Sequence, residues 1–359
     1  MGSRRQFLAG LLATGLAPQA SWADLGCPTY LSAAKQSDGA YVLAGLSAQG
    51  DLLFSCPLPD RGHAASAHPI RPEVVGFARR PGRFADVIDC RSETRLARLT
   101  PPTGHHFYGH GCFSPDGSRL YTTENEYSTS RGVIGVWDST DSYRRITSFA
   151  SVGIGPHEVL LRQDAPGLVV ANGGIQTHPD RGRDKLNLDT MRPNLSYLGF
   201  DGSVDDQIQL PDDLHQSSIR HLAMRADGTV GFAMQWQGAP GADVPIVGVH
   251  RPGSAPRLLA EDDPRLRNLN GYGGSLQFSA DGTTIAVTSP RGGVVQIFDV
   301  ASGGLLQEHH LNDVCGLATN KSGFLASSGT GSLVALTRTT MTPLAQANLR
   351  WDNHLIRLI

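Results

Sequence analysis

Apolar residues along this chain come in short runs, each about one strand long and each ended by a polar turn. The clearest unit is Cys112–Thr123 (CFSPDGSRLYTT), closed by Val133–Asp138 (VIGVWD). A second copy is Leu276–Val287 (LQFSADGTTIAV), closed by Val295–Asp299 (VQIFD). Both read as strand, Asp-Gly turn, strand, loop, strand, because the glycine supplies the positive φ of a tight hairpin. Weaker copies lie at Ala223–Ala233 and Leu317–Ala326, and two more begin at Val75 and Val159. A repeat of this size is one small sheet that cannot bury both faces alone. Stacking such sheets radially gives a β-propeller.

Aligning the residue ahead of each innermost strand gives His63, His110, His157, His221, Gly274, Cys315 and His354. The spacings are 47, 47, 64, 53, 41 and 39 residues, all blade-sized, with one insertion. The predicted fold is therefore all-β, a seven-bladed propeller. His63 is the loosest position, since Pro69 and Pro72 separate it from the strand at Val74 and Val75. The ends fit closure by strands from both termini. One strand at Trp351–Ile359 has no partner after it, and three strands (30–34, 41–46 and 52–58) precede His63. Joined, they make one blade and remove both free edges. A pair of β-sandwiches or a β-helix is the competing architecture.

Composition narrows the setting. Gly at 42 and Pro at 22 punctuate the chain, in keeping with many short strands and turns. The N-terminus carries Ser3, Arg4, Arg5, Phe7 and Leu8 in the twin-arginine pattern, then an apolar stretch too short to span a bilayer, then a small-x-small cleavage site at Ser21–Ala23. The expectation is a signal peptide over residues 1–23, a single propeller domain over 24–359, and periplasmic residence. No membrane span is expected after cleavage. Losing Arg4 and Arg5 takes the formal net charge from −2 to −4, which gives no footprint for nucleic acid. Five cysteines, Cys27, Cys56, Cys90, Cys112 and Cys315, have irregular spacing, and the sequence does not pair them.

One segment breaks the repeat. Residues 173–189, within the blade that starts at His157, are too long and polar for a hairpin and carry His178, Arg181, Arg183 and Lys185. It is a candidate substrate or partner loop; the alternative is a solvated loop packed on the next blade.

Thirteen histidines in an exported chain invite a metal. Stacking points the ring positions at one axis, so His110, His157, His221, His354, Cys315 and His63 are the candidate ligands, with His105, His106 and Glu158 at the channel rim. Imidazole suits copper, iron or zinc, and copper or zinc would accept a thiolate. Asp116, Asp227 and Asp281 sit in turns and are read as structural. There is no HExxH, no GxSxG and no CxxCH, which disfavours a zincin, an elbow-type serine hydrolase and a c-type haem.

Residues 104–117, 155–158, 172–175 and 185–188 resemble the signature segments of a bacterial family, the domain-of-unknown-function family numbered 1513. The resemblance covers essentially the whole mature chain. It implies a propeller exported by the twin-arginine route and, by association with imelysin-like, iron-regulated periplasmic proteins, a role in iron or other metal handling. Copper or iron then stands ahead of zinc, and the expected partners are periplasmic metal-uptake proteins. The family supplies no catalytic residue. Two further function classes stay open: a metal-dependent oxidoreductase or lyase using the axial site, and an interaction scaffold without small-molecule chemistry.

Overall fold

The structure, a computed structural model, describes residues 20–79 and 83–358. The twin-arginine residues lie outside the described residues. Ser21–Ala23 is described, and Trp22–Leu25 there forms one 3-10 turn.

Seven four-stranded antiparallel sheets form a ring of blades. Blade 1 joins the C-terminal strand Leu349–Arg357, innermost, to Tyr30–Gln36, Tyr41–Leu46 and Leu52–Leu58. The last strand pairs antiparallel with the first, Tyr30 opposite Arg357 and Gln36 opposite Leu349. Closure by both termini thus holds as the sequence predicts. The other innermost strands are Gly62–Ala67, His105–Phe113, Pro156–Leu161, Ser217–Met224, Ser275–Phe278 and Val314–Asn320, in blades 2 to 7. Each packs against the next around the axis, and blade 7 meets blade 1.

The blades stay together because each sheet buries both faces against its neighbours. Leu168, Val170 and Leu198 of blade 4 pack with Tyr121, Ile134 and Val136 of blade 3. Central strands such as Leu168–Asn172 (LVVAN) are buried at every residue, so their apolar residues run together rather than alternating. Outermost strands such as Arg144–Ala150 are largely exposed. The Asp-Gly turns behave as read: Asp116 Oδ1 accepts from Ser114 Oγ at 2.6 Å and from Ser118 N at 3.0 Å, with Gly117 at φ 72. Asp281 makes the same local bonds, and Asp227 accepts from Thr229 N at 3.0 Å and from the Arg225 guanidinium.

Blade 2 requires one correction. Its innermost strand is Gly62–Ala67 itself, and Val74 and Val75 belong to the second strand, Glu73–Ala78. The prolines at 69 and 72 lie in the connecting turn, so they do not separate His63 from the inner strand.

A candidate metal centre on the propeller axis

Most innermost strands run regularly except at one place, and that place is the axial residue. The ladder slips between Gly62 and Ala65, Phe107 and Gly111, Pro156 and Glu158, Ile219 and His221, and Val314 and Leu317. In blade 1 it slips where residues 351–355 face Ser32 and Ala34. These intervals contain or adjoin His63, His110, His157, His221, Cys315 and His354. A bulge adds an unpaired residue and re-aims its side chain, which is how an inner strand can point an imidazole along the axis. Blade 6, with Gly274 at this level, keeps regular pairing.

Five imidazoles converge. Ring centroids lie 4.9 Å apart for His63 and His110, 4.8 Å for His110 and His157, 4.9 Å for His157 and His221, 5.0 Å for His221 and His354, and 4.7 Å for His354 and His63. His110 and His354 are also only 4.7 Å apart, so the cluster is a compact knot rather than an open ring. This explains why blades 6 and 7 need no axial side chain: His221 and His354 close the gap between them. Gly109 is required by the packing. Its φ is +99, and a Cβ there would meet His63 Cδ2 at 2.9 Å.

All five rings are buried, none more than 8% exposed. Two sets, His63 with His110 and His354, and His110 with His157 and His221, each place three ring nitrogens within 4.8 Å of one another. His110 belongs to both. His63 Nδ1, His110 Nε2, His157 Nδ1, His221 Nδ1 and His354 Nε2 are buried with no hydrogen-bond partner. Each such orphan costs about 1–3 kcal/mol unless something satisfies it. Burial, reinforced by nearby cationic groups and rings, holds His110, His157 and His354 well below the ordinary imidazole range. Burial also lowers His63, with Asp352 opposing. Neutral imidazole is the ligating form, so the donor set fits a transition-metal ion.

Two carboxylates flank the knot. Glu158 Oε1 lies 3.7 Å from His110 Nδ1 and Oε2 lies 3.6 Å from His221 Nδ1, and Oε2 accepts from Leu222 N at 2.9 Å. Glu158, expected at the rim, thus belongs to the cluster. Asp352 lies 3.9 Å from His63 Nδ1 and binds Arg61 Nε at 2.6 Å and Arg79 Nη1 at 2.9 Å. Burial acts to raise its pKa, but His63, Arg79 and Arg61 together hold it well below the carboxylate range. Asp352 and its arginines were missed in the sequence, since partners nearly 300 residues apart leave no local signal; only its place two residues before His354 could have pointed to it.

Other candidates fall elsewhere. Cys315 does not join the rings. Its Sγ lies 3.4 Å from Trp351 O and 3.5 Å from Ser327 O, in the apolar seam between blades 7 and 1, and burial pushes its thiol up to about 12. Its bulge turns it sideways rather than inward. His105 pairs with Glu124 at 3.3 Å and Glu126 at 3.8 Å within blade 3. His106 stacks on Tyr127 at 6.1 Å. The loop at 173–189 is stapled on itself by Asn187, which donates to Gly174 O at 2.9 Å and accepts from Gln176 N at 2.6 Å. Thr177 ties it back to Tyr108 and Asn125 of blade 3, and Leu188 O to Gln216 near blade 5. Arg181, Arg183 and Lys185 are exposed on it, and His178 is half-buried against Tyr127. His309, on the outer strand of blade 6, faces Thr337 O at 3.1 Å.

The cluster is reached from one face through a cavity of about 860 Å³, lined near the axis by His110, Glu158, His221 and His354. Trp22, from the N-terminal turn, stands at its edge and donates to His68 O at 2.9 Å.

Fold and site together define a seven-bladed propeller with a buried histidine knot on its axis. The chain belongs to the family described as "Protein of unknown function (DUF1513)", whose profile matches residues 56–358. No curated protein matches the chain. Among solved structures it is similar to the hydrazine synthase of Kuenenia stuttgartiensis, with a TM-score of 0.57 and 15% identity over 87% of this chain and 90% of that one. It is also similar to a chain of a mitotic checkpoint complex, with a TM-score of 0.56 and 12% identity over 80% and 79%. At such identities the likeness is one of fold.

Proposed function

We propose that this protein is a periplasmic propeller that binds a transition-metal ion in its axial histidine cluster and serves iron or other metal uptake and handling. One observation carries the reading: five buried imidazoles from five different blades meet with a ring nitrogen of each unpartnered. A propeller needs no polar group there, as Gly274 at the equivalent place shows. Neutral imidazoles with a carboxylate at their edge suit copper, iron or zinc, and without a thiolate the usual affinity order places copper(II) first among divalent ions. Iron is supported by the family association alone.

The test is metal analysis of natively exported protein after extensive dialysis, beside the His110→Ala, His157→Ala double variant. His110 is shared by both ligand sets, so the variant breaks both. Stoichiometric metal in the wild type and a large loss in a still-folded variant is the expected result. Equal content in the two proteins refutes the site. The cavity reaching the cluster favours a second reading, a metal-dependent enzyme admitting a small ligand. If azide perturbs the spectrum of the copper(II)-loaded protein, an exchangeable position exists; if not, binding without chemistry stands.

A further inference from the structure

The five cysteines differ sharply in setting. Cys27 is exposed and Cys112 partly so, while Cys315 is held in the seam of blades 7 and 1. Cys56 and Cys90 remain, at 0% and 1% exposure, inside one apolar cluster.

Strand alternation brings these two to the same seam. Phe54, Cys56 and Leu58 occupy one face of Leu52–Leu58, the outermost strand of blade 1, and all three are buried. That face rests on blade 2: a Cβ at Gly76 would lie 3.2 Å from Leu58 Cδ2. Val74 precedes Gly76 by two residues and pairs with Ile88, so both look toward the seam. Cys90 follows Ile88 by two residues, and its N–H donates to Pro72 O at 2.9 Å. Moving two residues back from Leu58 reaches Cys56, and moving two on from Ile88 reaches Cys90. Both side chains therefore enter the same apolar cluster at the seam.

We propose that Cys56 and Cys90 form a disulfide bond across the seam between blades 1 and 2 when the protein meets an oxidising compartment. The two S–H bonds are lost and one S–S bond forms. Two electrons and two protons pass to a disulfide-class oxidant such as oxidised glutathione, which leaves as two thiols through a mixed-disulfide intermediate. The bond closes residues 56–90 into a loop and ties the blade built from both termini to its neighbour. Those two blades carry His354, Asp352, His63, Arg61 and Arg79, so the link fixes one side of the axial cluster. Contact with Cys56, then burial, pushes the Cys90 thiol far up. Oxidation therefore proceeds through local opening of the seam rather than on the closed fold.

The experiment has two arms. Protein is recovered from the periplasm without reductant, alkylated, and mapped by mass spectrometry under non-reducing conditions. Separately, reduced protein is equilibrated with oxidised and reduced glutathione in urea below its unfolding midpoint, returned to buffer, and mapped in the same way. The second arm does not depend on where the protein resides. A cross-linked peptide joining Cys56 to Cys90 is expected in both, with a melting temperature that falls by several degrees on reduction. Cys56→Ser should abolish the cross-link and leave Cys90 open to alkylation after unfolding. Separate alkylation or glutathionylation of both cysteines in the second arm, or a bond from either to another cysteine, overturns the proposal.

Discussion

The buried rings make a specific demand on pH. His110, His157 and His354 have folded pKa values well below 6.5, chiefly through burial. A group of this kind binds its proton more readily in the unfolded chain. Stability is therefore fully present above the unfolded value and is lost as pH falls below it, down to the folded value. A ring that stays neutral in the fold and titrates at 6.5 when unfolded favours unfolding by about 0.4 kcal/mol at pH 6.5 and about 1.4 kcal/mol at pH 5.5. Three such rings lose about 3 kcal/mol over that one unit. That is a large share of a typical total of about 5–15 kcal/mol. Asp352 does not blur the window, because its depressed pKa gives stability that is lost only as pH falls below the unfolded carboxylate value near 3.9.

The assay is urea unfolding of metal-stripped protein at pH 7.5, 6.5 and 5.5. The free energy should fall by about 1 kcal/mol between the first two and by about 3 kcal/mol to the third. His110→Gln, which keeps a neutral polar group, should remove about one proton from the slope, as should His354→Gln. A bound metal should raise stability most at high pH, since protons and metal compete for the same nitrogens. Unchanged stability from pH 7.5 to 5.5 in the stripped protein would refute the reasoning that the rings are neutral and closely packed. So would a slope that neither Gln variant reduces.

Three other outcomes are expected. Asp352→Asn removes the negative charge 3.9 Å from His63 Nδ1; metal affinity of the folded variant, measured against a competing chelator, should drop, and unchanged affinity would count against a role for Asp352 at the cluster. Deleting residues 353–359 strips most of the strand that closes blade 1 and should leave insoluble protein or one with a much lower melting temperature; an unchanged melt argues against closure as a source of stability. Arg4→Lys with Arg5→Lys should trap precursor in the cytoplasm on fractionation, and normal export of that variant would remove the twin-arginine reading.

Much of this architecture was legible because propeller blades repeat in the sequence as well as in space. The Asp-Gly turns at 116, 227 and 281 mark equivalent corners, and counting back from them reaches the heads of three inner strands at His110, His221 and Gly274. The unpaired segment at 351–359 is the complement of the three strands before His63. Position in the repeat does not convey direction. Cys315 is equivalent to the histidines in the repeat, yet a slip of one residue in an inner strand decides whether the side chain meets the axis or the neighbouring blade. His63 was loosely placed for the opposite reason, since the turn prolines at 69 and 72 looked like a break in the strand.

Glu158 and Asp352 show the deeper limit. Both are ordinary acidic residues next to, or two away from, an axial histidine. A sequence reports adjacency along the chain, whereas the chemistry here depends on which of several adjacent groups a bulge turns inward. Glu158 is inside because it follows His157 across such a bulge and caps the N–H of Leu222 in the next blade. Asp352 is held by arginines from blade 2, at the seam where the chain closes on itself. The knot thus draws on packing across blades 1 to 5 at once. A perturbation that loosens the closure seam, even one far from a ring nitrogen, should therefore register first as a loss of metal affinity on the His63 side, before it registers as unfolding.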